Sequence, residues 1–195
     1  PNIRGSSGFG KEFENLDNKE KRIDALKDLQ ALLDWIKTQP ELDANRIIVK
    51  GTSYGGFMAL ALGLKEQNRL KGVIAEVPPI SIKNYIDKSV KSLQDIYAFE
   101  YGQTSDEKLM EQTESLSLLS KNNLDNWKIP VLLTAGQNDV RVPIEDIEKL
   151  KDALKSKNIP VWYLKAKNEG HFWSDYDNNV FLELSKIAFF IKYGN

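Results

Sequence analysis

The sequence predicts an α/β protein in which helices cover both faces of a parallel sheet. Short runs of β-branched and apolar residues are continuous rather than alternating, which is typical of strands that are buried on both faces. Helical periodicities lie before, between and after these runs, and strands that alternate with helices form parallel sheets through right-handed crossovers. The length of 195 residues favours one domain.

Four segments are predicted as strands, at residues 47–50, 72–77, 131–135 and 161–166. In parallel sheets of this kind the chemistry lies beyond the carboxyl ends of the strands. The loops that follow the four segments are therefore the places where functional residues are expected.

Four helices are predicted around these strands. The first carries one apolar stripe at three- and four-residue steps, and its pattern ends at Pro40 because proline cannot continue a helix. This stripe consists of Ile23, Leu26, Leu29, Leu32, Leu33 and Ile36. Residues 57–66 and 144–157 form the second and third helices. The last helix has a similar stripe, of the kind that packs on a core. It consists of Val180, Phe181, Leu184, Ile187, Ala188 and Ile191.

The connection between the second and third predicted strands is long, with 51 residues from Pro78 to Lys128. Most connections in such folds are far shorter, so we interpret this one as helical excursions that wall a pocket. Its aromatic residues are candidates for lining that pocket, and filling of the core is the alternative. They are Tyr85, Tyr97, Phe99, Tyr101 and Trp127.

Composition excludes several classes of function. Lys and Arg total 27 against 28 for Asp and Glu, so no basic excess favours a nucleic acid or an anionic membrane as partner. No apolar run reaches the roughly 18 residues of a membrane span. The absence of cysteine and the single histidine exclude disulfides and cysteine nucleophiles and disfavour zinc sites. We expect no metal and no cofactor. No signal-peptide pattern is recognisable, and the location expected for the protein is cytoplasmic.

The strongest chemical signal is the G-x-S-x-G pattern of residues 51–55, with Ser53 at its centre. A predicted strand leads into it and a predicted helix leaves it, which is the context of a nucleophile elbow. Small residues on either side of the serine let strand and helix approach closely. The alternative is a glycine-rich turn with an ordinary serine.

A serine nucleophile needs a base and an acid that orients the base. The base can only be His171, which follows the last predicted strand. Asp139 follows the third predicted strand, at the same edge of the sheet, and the chain order Ser, Asp, His agrees with that of the elbow fold. Asp146 and Asp152 fall on the next helix and are expected to be solvated. Arg141 either braces its loop or grips a substrate carbonyl with its guanidinium.

Together these segments resemble the prolyl oligopeptidase family of serine peptidases, and most of all its acylaminoacyl-peptidase and dipeptidyl-aminopeptidase branch. The resemblance rests on residues 2–10, 51–56, 100–102, 138–143 and 169–171 and extends from about residue 1 to residue 192. It implies the α/β-hydrolase fold and the C-terminal catalytic domain of such an enzyme.

The resemblance also implies residue roles. Ser53 is the nucleophile, Asp139 the orienting acid and His171 the base. The backbone N–H of Tyr54 is one oxyanion donor, and Arg141 contacts a substrate backbone carbonyl.

Departures from the family pattern limit what the chain is expected to do. Family members usually carry a β-propeller, further N-terminal strands and a segment with the second oxyanion donor, which residues 1–195 lack. We therefore expect residues 1–195 to be one partial catalytic domain that self-associates or pairs with an N-terminal segment. The predicted function is hydrolysis of peptide substrates through an acyl-enzyme. A carboxylesterase of small esters and a catalytically incomplete fragment are the alternatives.

Overall fold

A computed structural model describes residues 1–194 as an α/β structure around one parallel sheet. The strands are β1 (Ile48–Thr52), β2 (Gly72–Glu76), β3 (Val131–Gly136) and β4 (Val161–Ala166). They are hydrogen-bonded in the order β1-β2-β3-β4, and all three pairings are parallel. The predicted fold class and the four predicted strands are confirmed, with β1 extending to the residue before Ser53.

The described residues form nine α-helices. They are α1 (Lys11–Glu14), α2 (Arg22–Ile36), α3 (Tyr54–Lys65), α4 (Ile82–Asp87), α5 (Lys91–Tyr101), α6 (Glu107–Glu114), α7 (Lys121–Asn126), α8 (Ile144–Ser156) and α9 (Tyr176–Tyr193). In the part of the chain that is described, no helix combines the length and the apolar character that crossing a bilayer requires.

Helices cover both faces of the sheet. Side chains alternate between the two faces along every strand, so each face presents apolar side chains to a layer of helices. Val73 and Leu133 point into the larger core, which α2, α3 and α8 complete. Ile74 and Leu132 point to the other face, where Phe189 of α9 covers them. The predicted stripe of α2 packs as expected, since its central leucines are buried in the larger core.

The predicted stripe of α9 does not face the sheet. The buried residues are Leu182, Ser185, Lys186 and Phe189, whereas the predicted residues are exposed on the opposite side. Lys186 forms an ion pair with Glu76 at 3.2 Å, with side chains 8% and 10% exposed. The helix therefore has two largely apolar faces. The buried face contains Lys186, so in the sequence that face looks polar and the exposed face looks like the one that packs on the core.

The long connection contains α4 to α7, as the prediction of helical excursions requires. Its aromatic residues mostly fill the core: Tyr85, Tyr101 and Trp127 are buried, and Phe99 is exposed. The hydroxyl groups of Tyr85 and Tyr97 are hydrogen-bonded at 2.7 Å. The core alternative is thus correct for three of the five, and Tyr97 also packs against that core.

Candidate active site

Ser53 lies on a strained turn between β1 and α3. Its φ of 55° and ψ of −125° place a non-glycine residue in a region of positive φ that side chains disfavour. Its N–H donates to the carbonyl of Glu76 at 2.8 Å, and its own carbonyl accepts from Gly56 and Phe57. These hydrogen bonds tie Ser53 to β2 and to the start of α3, and they hold its strained backbone conformation in place.

The glycines of the motif have different roles. A Cβ at Gly51 would lie 2.0 Å from the Gly55 carbonyl oxygen, so strand and helix can meet only where this residue has no side chain. Apart from its chain neighbours and the backbone of its own helix, a Cβ at Gly55 meets no described atom within 4 Å. The expectation of close approach on both sides of Ser53 therefore holds for Gly51 and is wrong for Gly55. Gly56 is the second tight position, at 3.0 Å from Pro78.

The loops that follow β3 and β4 are joined by backbone contacts. The N–H of Gln137 donates to the carbonyl of Ala166, and the N–H of Asn138 donates to that of Glu169, both at 2.9 Å. A Cβ at Gly136 would lie 2.0 Å from the carbonyl oxygen of Gly170. These contacts fix the separation of the loop with Asp139 from the loop with His171.

The three predicted side chains form a continuous hydrogen-bonded chain. His171 Nε2 lies 2.9 Å from Ser53 Oγ, and His171 Nδ1 lies 2.8 Å from Asp139 Oδ2. The side chains of His171 and Asp139 are 6% and 3% exposed. With an ionised aspartate, Nδ1–H donates to Asp139 and Nε2 is left to accept the proton of the serine.

Asp139 is held in its ionised form. Its Oδ1 accepts the N–H groups of Arg141 at 2.8 Å and Val142 at 3.0 Å. Burial acts to raise the pKa of this carboxyl, but the hydrogen bonds from His171 and from the two backbone N–H groups outweigh it and lower the pKa below its ordinary value. The carboxylate can therefore orient an imidazole without taking its proton.

The other aspartates considered lie outside this arrangement. Asp146 is buried and accepts from the Asn84 side chain at 3.0 Å, so the expectation that it is solvated is wrong. It lies in the first turn of α8, and its carboxylate faces α4. Asp152 has a side chain that is 70% exposed, as expected.

Tyr54 is the first residue of α3, so no carbonyl of the helix accepts its N–H. Its ring is packed against the buried Arg22, whose guanidinium carbon lies 4.8 Å from the ring centroid. Arg22 also pairs with Asp17 at 3.1 Å and is 4.2 Å from the ring centroid of Tyr101. Burial raises the pKa of the Tyr54 hydroxyl to about 12, although the nearby guanidinium acts in the opposite direction. Sequence reasoning missed Arg22, because an arginine at a helix start is normally solvated.

Arg141 is exposed, and its guanidinium lies 5.7 Å from the ring centroid of Phe172. Phe172 in turn contacts the ring of His171, with centroids 4.8 Å apart. The guanidinium is thus held near the histidine by an aromatic residue, while its donors stay accessible. A bracing role for the backbone of this residue and a binding role for its side chain are both compatible with this placement.

Glu169, two residues before His171, joins the loop of His171 to the start of α9. It is buried, and its carboxylate accepts from the N–H groups of Ser174 and Asp175 and from the Asn178 side chain, at 2.8 to 2.9 Å. Hydrogen bonds, that from Asn178 foremost, lower the pKa of Glu169. It fixes the segment after His171 to the start of α9.

A cavity of about 440 Å³ opens beside His171. Its lining includes Thr52, Glu76, Thr134 and Phe172. The carboxyl ends of β1 to β3 form one side of this cavity, and residues 171–173 and α9, through Leu182 and Lys186 among others, form the rest.

Comparison with known proteins agrees with this geometry. The profile of the prolyl oligopeptidase family matches residues 1–195. The chain belongs to the prolyl oligopeptidase family. The family resemblance predicted from the sequence is thereby confirmed.

Similar proteins within the family are peptidases by name. The chain is 34% identical over 174 residues to the uncharacterized peptidase YuxL of Bacillus subtilis, covering 87% of this chain and 25% of that protein. It is 27% identical over 190 residues to dipeptidyl aminopeptidase BIII of Pseudoxanthomonas mexicana, covering 91% and 26%. The solved structure of a Mycobacterium tuberculosis puromycin-hydrolyzing peptidase matches with a TM-score of 0.87 at 22% identity, covering 100% of this chain and 29% of that one. This chain therefore spans about a quarter of the length of these relatives, and the likeness to the solved structure supports the fold.

Proposed function

We propose that this chain carries the catalytic triad of a serine peptidase, with Ser53 as nucleophile, His171 as base and Asp139 as orienting acid. The observation that supports the proposal best is the hydrogen-bonded chain from Ser53 Oγ through His171 to Asp139, with distances of 2.9 and 2.8 Å. Membership of a peptidase family supports it independently.

The proposed reaction proceeds in two halves. Ser53 Oγ attacks the scissile carbonyl carbon while His171 Nε2 takes the hydroxyl proton. The tetrahedral intermediate collapses, the C–N bond breaks, and His171 gives the proton to the leaving amine. A water molecule then attacks the acyl-enzyme, His171 takes and returns a proton, and the acid product leaves Ser53 free.

Tyr54 is the proposed first donor to the oxyanion. Its N–H is at the positive end of α3, where the helix dipole favours the negative charge that develops on the carbonyl oxygen. Packing of its ring against Arg22 and Tyr101 restricts the residue. A donor that is already fixed in position needs no reorganisation when the charge appears.

We propose peptides as the substrate class and Arg141 as the residue that holds a second substrate carbonyl. The relatives are named peptidases, and the guanidinium is accessible and placed near His171 by Phe172. A planar fork of donors suits a carbonyl that lies one residue away from the scissile bond.

The second oxyanion donor is proposed to come from a segment outside residues 1–195. Among the described strands β1 pairs only with β2, so one edge of it is open. A cavity of about 530 Å³ beside this edge is lined by apolar residues that include Leu29, Ile47 and Met58. We propose that residues 1–195 act as part of a catalytic domain, and that a further strand of the polypeptide pairs with β1 and completes the site.

The cytoplasmic location expected from the sequence stays a prediction.

The test of the proposed function is covalent labelling by a fluorophosphonate. The full polypeptide that contains residues 1–195 should be labelled, and its Ser53→Ala variant should fold normally, lose all labelling and lose turnover by about 10⁴- to 10⁶-fold. Labelling that persists in Ser53→Ala would refute the nucleophile. Hydrolysis of a nitrophenyl ester without hydrolysis of any peptide would favour the carboxylesterase, and absence of labelling that is restored by the preceding segment would indicate an incomplete site.

A further inference from the structure

The peptide unit between Glu76 and Val77, at the carboxyl end of β2, is hydrogen-bonded at both of its ends. Its carbonyl oxygen accepts the N–H of Ser53 at 2.8 Å. Its N–H, which belongs to Val77, donates to two atoms of Thr134 in β3, the carbonyl oxygen at 3.2 Å and the side-chain Oγ1 at 3.1 Å. This single peptide unit therefore links the turn of Ser53 on one side of β2 to β3 on the other side.

Val77 has an unfavourable backbone conformation, with a φ of 43°. A β-branched side chain at positive φ is a genuine outlier that costs energy, whereas glycine would adopt the same φ at little cost. Rotation of the peptide unit before Val77 would return φ to negative values. The same rotation would carry the carbonyl of Glu76 away from the N–H of Ser53. The strain at Val77 therefore opposes the hydrogen bond that fixes the serine, and the peptide unit has to be held in place.

The side chain of Thr134 is placed to hold this peptide unit. Thr134 is 1% exposed, and its side chain is the one polar side chain of β3. Valine has almost the same shape and suits a buried strand better, because burial of a hydroxyl is costly unless the hydroxyl is hydrogen-bonded. The bond from the Val77 N–H to the Thr134 carbonyl is at the long end of the usual range, and Oγ1 is the nearer of the two acceptors. The hydroxyl thus has a reason to be at this position.

We propose that Thr134 is a positioning residue for Ser53, which it holds through the peptide unit between Glu76 and Val77. This role rests on the proposed function, in which Ser53 is the nucleophile. With the hydroxyl present, the peptide unit keeps Ser53 where its Oγ lies 2.9 Å from His171 Nε2. Without the hydroxyl, the strain at Val77 is relieved by rotation and Ser53 moves relative to His171. A displacement of about 1 Å can lower turnover by about 100-fold.

The test uses the full polypeptide that contains residues 1–195 and separates kcat from KM. Thr134→Val removes the hydroxyl and keeps the branched shape, so kcat should fall by roughly 10- to 100-fold. KM should stay unchanged, because the buried Thr134 is not one of the residues proposed to bind substrate. Thr134→Ser keeps the hydroxyl and should restore most of kcat. Failure of Thr134→Ser to exceed Thr134→Val in kcat would overturn the proposal.

Thr113→Val is the matched control for loss of a buried threonine hydroxyl. Thr113 is 3% exposed, and its hydroxyl donates to the carbonyl of Leu109 at 3.0 Å within α6. Both valine variants lose one buried hydrogen bond to the backbone, so both should lower Tm. Only Thr134→Val should lower kcat. An equal loss of kcat in Thr113→Val would mean that the effect follows general stability, and it would overturn the positioning role.

The rate of fluorophosphonate labelling measures the reactivity of Ser53 without a peptide substrate. Thr134→Val should slow labelling by about the same factor as it lowers kcat, and Thr113→Val should leave the rate unchanged. If the wild-type polypeptide is not labelled at all, the proposed function itself fails. If the wild type and Thr134→Val are labelled equally fast, the nucleophile stands and only the role of Thr134 is overturned.

Val77→Gly tests whether strain is the cause. Glycine tolerates the positive φ, so the tendency of the peptide unit to rotate is reduced. Thr134→Val should therefore lower kcat by a smaller factor in the Val77→Gly background than in the wild-type background. Equal factors in the two backgrounds would mean that Thr134 does not act through this peptide unit, and the proposal would be overturned.

Discussion

Gly51 and Gly55 occupy equivalent places in the motif, and the structure predicts opposite effects when each is replaced by alanine. A Cβ at position 51 would lie 2.0 Å from the carbonyl oxygen of Gly55, 2.3 Å from its carbonyl carbon and 2.8 Å from the nitrogen of Gly56. All three atoms belong to the backbone of the first turn of α3. They cannot rotate aside as a side chain would, so the strand and the helix must separate.

The size of the effect follows from this overlap. Ordinary contact begins near 3.4 Å, so Gly51→Ala requires a shift of more than 1 Å. Overpacking of a core costs about 1–3 kcal/mol, and a backbone obstacle places this variant at the upper end. For a domain of this size a loss of about 3 kcal/mol lowers Tm by roughly 6–12 °C. The same shift displaces Ser53 from His171 and should lower turnover by about 100-fold.

Gly55→Ala is the matched control, since it adds the same methyl group on the other side of Ser53. Gly55 lies within α3, and apart from its chain neighbours and the backbone of that helix the added methyl group meets no described atom within 4 Å. Alanine is favoured over glycine in a helix by up to about 1 kcal/mol, so Tm should stay unchanged or rise by about 2–4 °C.

The test is to measure Tm by differential scanning calorimetry, together with the rate of peptide turnover, for the wild type and the two variants. A Gly51→Ala variant that matches the wild type in both measurements would refute this prediction. A Gly55→Ala variant as damaged as Gly51→Ala would also refute it, because the two positions would then be packed alike.

Three further predictions concern the remaining residues of the site. Asp139→Asn should leave the fold intact and lower turnover by about 10⁴-fold, because the amide favours the wrong tautomer of His171; a loss below about 10-fold in steady-state assays would contradict this role. Because the pKa of Asp139 is lowered in the folded state, its ionisation stabilises the protein above the ordinary aspartate pKa, and this contribution disappears as pH falls through the lowered value. The difference in urea midpoint between wild type and Asp139→Asn should therefore shrink as pH is lowered below about 4, and a constant difference would speak against it. Arg141→Lys should lower kcat/KM more for peptides than for small esters, because only peptides offer a second carbonyl; equal losses would assign it to bracing of the loop.

The sequence by itself predicted the fold class and the three residues of the proposed triad, because both depend on local patterns. Continuous apolar runs mark buried parallel strands, and a parallel sheet brings the ends of its strands to one edge. Ser53, Asp139 and His171 each directly follow such a strand or the short loop after it, so topology alone predicts that they meet.

Only the tertiary structure decided which surfaces those patterns face. The apolar stripe of α9 has the periodicity of a core helix, yet it points outward, because the opposite face buries Lys186 through its ion pair with Glu76. The two glycines beside Ser53 look alike in the motif and differ because only Gly51 meets backbone from across the turn. Asp146 is buried rather than solvated, because α4 packs over it. In each case the deciding contact joins residues that are far apart in the chain or that meet across a turn. The spacing of residue types along the sequence does not reveal which of these residues come into contact.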